Sequence, residues 1–218
     1  MFPVSDVIPS RTVPVVTVGL IVLNSLVFLY QVTLPAPLLE AFVAHYALIP
    51  ADFSWPSVFT SMFLHGGWMH VIGNMLYLWI FGDNVEDRLG HVPFLIFYLA
   101  SGCAAAMLQL VINPFTTVPM IGASGAIAGV MGAYFVLYPE SRVLTAIFLF
   151  FFFDLVEIPA IFFLGIWFVM QVLNGVGSLG VASAGGGTAF WAHIGGFVVG
   201  GMVGVALRLG GRRAQYPY

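Results

Sequence analysis

Charge is what this sequence has least of. Lysine is absent, the six basic residues are all arginine, and Asp, Glu, Lys and Arg together make up 7% of 218 residues against 61% hydrophobic. With a mean hydropathy of +1.04, a water-soluble domain of this length is excluded, because it would have too few polar side chains to cover its surface. The chain must use a lipid bilayer as its solvent. Alternation of polar and apolar residues is also missing, which argues against an outer-membrane barrel; the many Gly, Ala and Phe residues suit packed transmembrane helices. Cysteine occurs once, at Cys103 in an apolar run, so no intrachain disulfide, cysteine-rich metal site or redox chemistry is expected. No cofactor and no nucleic-acid partner is expected either.

The apolar runs predict an all-α, polytopic membrane protein: a bundle of six transmembrane helices over 15–32, 68–81 or a little beyond, 92–112, 124–137, 158–173 and 190–209. Residues 1–14, with three prolines and Arg11, are read as a short irregular leader, 15–209 as one six-helix domain and 210–218 as a tail. The first apolar run holds Asn24, Ser25 and Gln31 and no small-residue cleavage site follows it, which marks an uncleaved span, not a signal peptide. Residues 33–65 are too polar to cross and too apolar to be solvated, so they are expected in the membrane interface. A polar turn carrying Asp83, Glu86, Asp87 and Arg88 is expected over 82–91, an interfacial segment over 140–157 and a glycine-rich loop over 174–188. With six spans, Arg11, Arg88, Arg142, Arg208, Arg212 and Arg213 all fall on the side of the two termini. The positive-inside rule assigns that side to the cytoplasm, and an inner or plasma membrane is expected.

Chemistry concentrates at the other ends of these spans. Ser124 lies between Gly122 and Gly125 at the head of the short fourth span; glycine leaves room for a second helix and for an incoming backbone. The second, fourth and sixth spans run in the same direction and begin with His70 and Asn74, Ser124, and His193 respectively, so these polar residues share one shallow depth. Unpaired polar groups are costly in hydrocarbon, which drives them to meet. Serine with histidine supplies a nucleophile and a general base. No carboxylate lies near these ends, so a dyad is implied, with His70, Asn74 and the backbone N–H of Ser124 suited to hold an oxyanion.

Three motifs carry a resemblance. Gly122-Ala123-Ser124-Gly125, the run from His65 through His70 to Asn74, and the helix from Ala192-His193 to Gly200 resemble the signatures of the rhomboid family of intramembrane serine proteases. The resemblance implies Ser124 as nucleophile, His193 as base, His70 and Asn74 as oxyanion hole, and transmembrane proteins in the lipid bilayer as substrates. It also implies a structural role for Glu86 and a close approach of the sixth helix to the fourth at Gly196 and Gly200. The sequence departs from the family in three places. Ala128 stands where many members carry an aromatic ring stacked on the histidine, Trp55-Pro56 lacks the family's following arginine, and the loop before the sixth span is longer than in compact members.

Competing readings are weaker. A zinc site of His65, His70 and His193 lacks a His-Glu-x-x-His run with its general base; His65 is read as fixing the first loop. Trp167 is expected to flank the substrate's route. A small-solute transporter is disfavoured because no inverted repeat is visible. An inactive rhomboid-like protein that binds and escorts transmembrane helices is the remaining alternative.

Overall fold

Inside a bilayer only a helix or a closed barrel satisfies every backbone N–H and C=O, so the long apolar stretches here wind into helices. The computed structural model describes residues 2–149, 152–179 and 188–210. In chain order the elements are β1 (Phe2–Asp6), α1 (Val15–Thr33), α2 (Ala36–Tyr46), α3 (Trp55–Thr60), α4 (Trp68–Leu89), α5 (His91–Ile112), α6 (Ser124–Leu137), β2 (Arg142–Leu149), β3 (Phe152–Pro159), α7 (Ala160–Gly177) and α8 (Phe190–Leu209). Among the described residues, four helices are long and apolar enough to cross a membrane: α1, α5, α7 and α8. The helix α6 is apolar but has only 14 residues, and α4 carries Asp83, Glu86, Asp87 and Arg88 in its last turns.

The short helix α6 is the centre of the bundle, with every residue from Ala126 to Tyr134 buried. Its tightest neighbour is α8. A Cβ added at Gly196 would stand 2.0 Å from the Gly125 carbonyl oxygen, and one at Gly200 only 1.8 Å from that of Gly129. No side chain separates the two backbones, which is the closest approach helices can make.

Two expectations need amending. The polar stretch 82–91 is not a turn: α4 continues through it to Leu89 and stops at Gly90, whose φ of +85° favours glycine. Two of its acidic residues are satisfied from the leader and from the start of α1. Asp87 accepts from the backbone N–H groups of Arg11 (2.6 Å) and Thr12 (3.0 Å), and Glu86 from those of Val16 (2.9 Å) and Thr17 (2.8 Å). The leader, in turn, is not irregular throughout: its residues 2–6 pair with the first of two strands that begin in the 140–157 segment. Together they form a three-stranded antiparallel sheet in the order β1-β2-β3, with Arg142 opposite Pro159 and Ser5 opposite Leu144. Val143, Thr145 and Ala146 of β2 are buried, and Tyr134 of α6 donates to the Asp6 carboxylate at 2.5 Å.

Sheet, leader and the C-terminal ends of α4, α6 and α8 share one end of the bundle. Arg88 donates to the Leu207 carbonyl (3.3 Å) and Arg208 to that of Val136 (3.4 Å), each covering a carbonyl near a helix end. At the opposite end, a bridge between Leu48 and Met120 ties the segment after α2 to the loop before α6. Residues 180–187, most of the expected glycine-rich loop, and the tail 211–218 lie outside the described residues.

Candidate active site

The loop entering α6 sets the geometry. Gly122 has φ +117° and donates its N–H to the Ser61 carbonyl at 2.9 Å. A Cβ there would stand 2.7 Å from His70 Nε2, so only glycine lets the loop lie on that ring. Two residues later α6 begins, with Ser124 half-buried in its first turn. The backbone contact between α6 and α8 carries His193 across to it: Nε2 of His193 is 2.8 Å from Ser124 Oγ. His193 itself is only 9% exposed.

Two further side chains hold the imidazole, both from α7. The indole of Trp167 lies over it with centroids 5.7 Å apart and planes at 34°. Gln171 places Oε1 2.8 Å from His193 Nδ1. With no carboxylate near the span ends that carry Ser124 and His193, the sequence implies a dyad and does not single out Gln171; the available signal is an amide one helical turn after Trp167 in a helix whose other amide is Asn174.

His70 and Asn74 border the same space. His70 Nδ1 accepts the Gly66 N–H at 3.3 Å, which leaves its Nε2 to carry the proton beside Gly122. Asn74 is one turn further along α4; its Nδ2 is buried with no acceptor among the described residues. Ser124, His193, His70, Asn74, Tyr77 and Trp167 line a cavity of about 870 Å³, and no charged side chain appears among the described residues around it.

His65 stays behind this front. Gln31 of α1 brackets its backbone, accepting from the N–H (3.0 Å) and donating to the carbonyl (3.2 Å), while its ring meets Phe28 and His70 edge-on. Burial, with His70 nearby, pushes its pKa down to about 4, so the ring is neutral at neutral pH. Glu86 lies at the other end of the bundle, closing the N-terminus of α1. Gly196 and Gly200 lie on the α6 contact described above.

The family model of the Rhomboid domain matches residues 52–209. Rhomboid protein 1, mitochondrial, of Saccharomyces cerevisiae is 29% identical over 169 residues, 75% of this chain and 45% of that protein. Two proteins of Bacillus subtilis are also similar. Rhomboid protease GluP is 39% identical over 95 residues (44% of this chain, 18% of that protein), and Putative rhomboid protease YdcA 34% over 127 (57% and 62%). The chain therefore covers less than two thirds of the length of each of these relatives. The family match takes in α4, α6 and α8 with every polar residue around the cavity, and on it the chain belongs to the rhomboid family of integral membrane proteins.

Proposed function

We propose that this chain is an intramembrane serine endopeptidase that cleaves within or beside transmembrane segments of other proteins. The observation that carries the reading is the 2.8 Å contact between Ser124 Oγ and His193 Nε2 in a cavity that also holds the unpaired donor of Asn74. As Ser124 attacks a scissile carbonyl, His193 takes its proton at Nε2 and returns it to the leaving amine. The carbonyl oxygen becomes an oxyanion that accepts from His70 Nε2–H, Asn74 Nδ2–H and the Ser124 backbone N–H. A water activated by the same imidazole then releases the acyl group.

On this reading α4 and α6 also cross the bilayer, giving six spans with both termini in the cytoplasm. The gathering of Arg88, Arg142 and Arg208 at the sheet end supports that orientation, and it puts Ser124 near the outer face, within reach of water. A transmembrane substrate hides its carbonyls in its own helix, so segments with helix-weakening residues near the outer leaflet are the expected substrates.

The test is cleavage of a reporter membrane protein in reconstituted vesicles, by wild type and by Ser124→Ala, with labelling by a serine-directed fluorophosphonate. Wild type is expected to cleave and to label, and Ser124→Ala to do neither. Equal cleavage by both proteins, or none by wild type, removes the protease reading; the latter outcome leaves a rhomboid protein that binds transmembrane helices without cutting them.

A further inference from the structure

We propose that Gln171 is the positioning residue of the base: it fixes which nitrogen of His193 carries the proton, so that the lone pair of Nε2 faces Ser124. The inference rests on the protease reading and extends it from a dyad to a directed relay. The direction follows from donor and acceptor chemistry. The Gln171 Nε2 donates to the carbonyl of Trp167, four residues earlier, at 3.4 Å. Its Oε1 therefore faces His193 Nδ1, 2.8 Å away. An amide oxygen only accepts, so Nδ1 must be protonated and Nε2 must be the acceptor for the Ser124 hydroxyl 2.8 Å from it. Turning the amide over would set Oε1 against the Trp167 carbonyl and lose that bond. Holding the other tautomer would leave Oε1 without a donor in a side chain only 9% exposed.

An amide does here what a carboxylate does in water-exposed serine hydrolases, without a net charge. The described residues around His193 explain the choice. From α4 the cavity receives His70 and Tyr77, from α5 Gly102, Ala105, Ala106 and Gln109, from α6 Ser124, and from α7 Trp167. None supplies a cation to balance a carboxylate at this depth, where an unpaired charge is expensive. A neutral acceptor orients the ring and leaves its basicity largely to the environment. Since Trp167 and Gln171 lie one turn apart, a single face of α7 both covers and orients the base.

The experiment uses the full chain in vesicles with Gln171→Leu and Gln171→Glu. Gln171→Leu keeps the volume and removes the acceptor; kcat is expected to fall about 10–100-fold with KM within about twofold, as when a histidine's orienting partner is lost. Gln171→Glu keeps an acceptor and adds a charge; activity is expected to persist, with the acid limb of the kcat/KM profile moved up by about one pH unit. A purely structural role would not produce that shift. Independently of cleavage, solid-state NMR of protein labelled with ¹⁵N-histidine, assigned with His193→Ala, is expected to show protonated Nδ1 in wild type and the Nε2–H tautomer appearing in Gln171→Leu. Wild-type kcat and pH profile in Gln171→Leu, or an Nε2–H tautomer in wild type, would overturn the proposal while leaving the protease reading intact. Should wild type fail to cleave, the protease reading falls and the NMR result still decides the tautomer.

Discussion

The indole of Trp167 covers the imidazole of His193 at 5.7 Å and 34°, a contact made from α7, while Ala128 of α6 is fully buried and carries no ring. Aromatic pairs of this kind contribute about 0.5–1.5 kcal/mol beyond their burial. On the proposed reading, Trp167→Ala loosens the base and lowers kcat about tenfold, whereas Trp167→Phe keeps a ring in place and most of the rate. Steady-state cleavage by the two variants checks this. Equal losses in both would mean that the indole acts through something other than its stacking on His193.

Asn74 offers a buried donor with no acceptor among the described residues. If an oxyanion is what it meets, Asn74→Ala removes an interaction made mainly in the transition state. The expected loss is about 2–4 kcal/mol in kcat with KM little changed. A variant that loses substrate affinity and keeps its turnover would assign Asn74 to binding instead.

Helix contact at Gly200 is backbone on backbone. A Cβ there would stand 1.8 Å from the Gly129 oxygen, whereas at the adjacent Gly201 the nearest atom is 3.9 Å away. Gly200→Ala must push α8 off α6 and is expected to cost about 1–3 kcal/mol or more, with loss of activity because the same contact brings His193 to Ser124. Gly201→Ala is the control and is expected to be neutral. Thermal unfolding in detergent compares them directly.

Why some of this was readable in the sequence and some not has a physical basis. Long apolar runs bounded by Gly and Pro fix helices in lipid, and the Ser124 to Leu137 helix and the start of the Trp68 helix lie where the runs place them. What failed depended on partners distant in sequence. Glu86 and Asp87 look like part of a turn until N–H groups some 70 residues away, of the leader on Asp87 and of the first turn of α1 on Glu86, are seen to bind them. The strand Phe2–Asp6 has no reason to form until Arg142–Leu149 lies beside it. Gln171 has the same origin, since nothing local says which amide of α7 meets a histidine on α8.

Glu86 is fully buried and closes the N-terminus of α1 with both oxygens, on Val16 and Thr17, while His91 Nδ1 lies 2.6 Å from Oε1. A carboxylate at that position also complements the helix dipole. Glu86→Ala leaves these donors without acceptors and is expected to destabilise the fold by about 1–3 kcal/mol per unsatisfied group. Glu86→Gln keeps one acceptor and is expected to fall between. Unfolding measurements rank the three. Unchanged stability in Glu86→Ala would mean that water replaces the carboxylate freely, in conflict with its burial.

Asp6 gives the sheet a pH dependence whose sign is fixed by its surroundings. Burial raises its pKa from the ordinary 3.8 to about 6, against the lowering effect of the hydrogen bond from Tyr134. The folded state thus holds this proton more tightly than the unfolded chain does. The stability it contributes is complete below about pH 3.8 and is lost as pH rises through about 6. Taken as the difference between wild type and Asp6→Asn, which stays neutral and can still accept from Tyr134, the thermal midpoint is expected to fall for wild type between pH 4 and 7. Tyr134→Phe removes the opposing hydrogen bond, so in that variant the fall is expected to begin at the same pH and to extend to higher pH than in wild type. A midpoint difference that does not change with pH would show that Asp6 is solvated in both states and that β1 docks on α6 without its carboxyl.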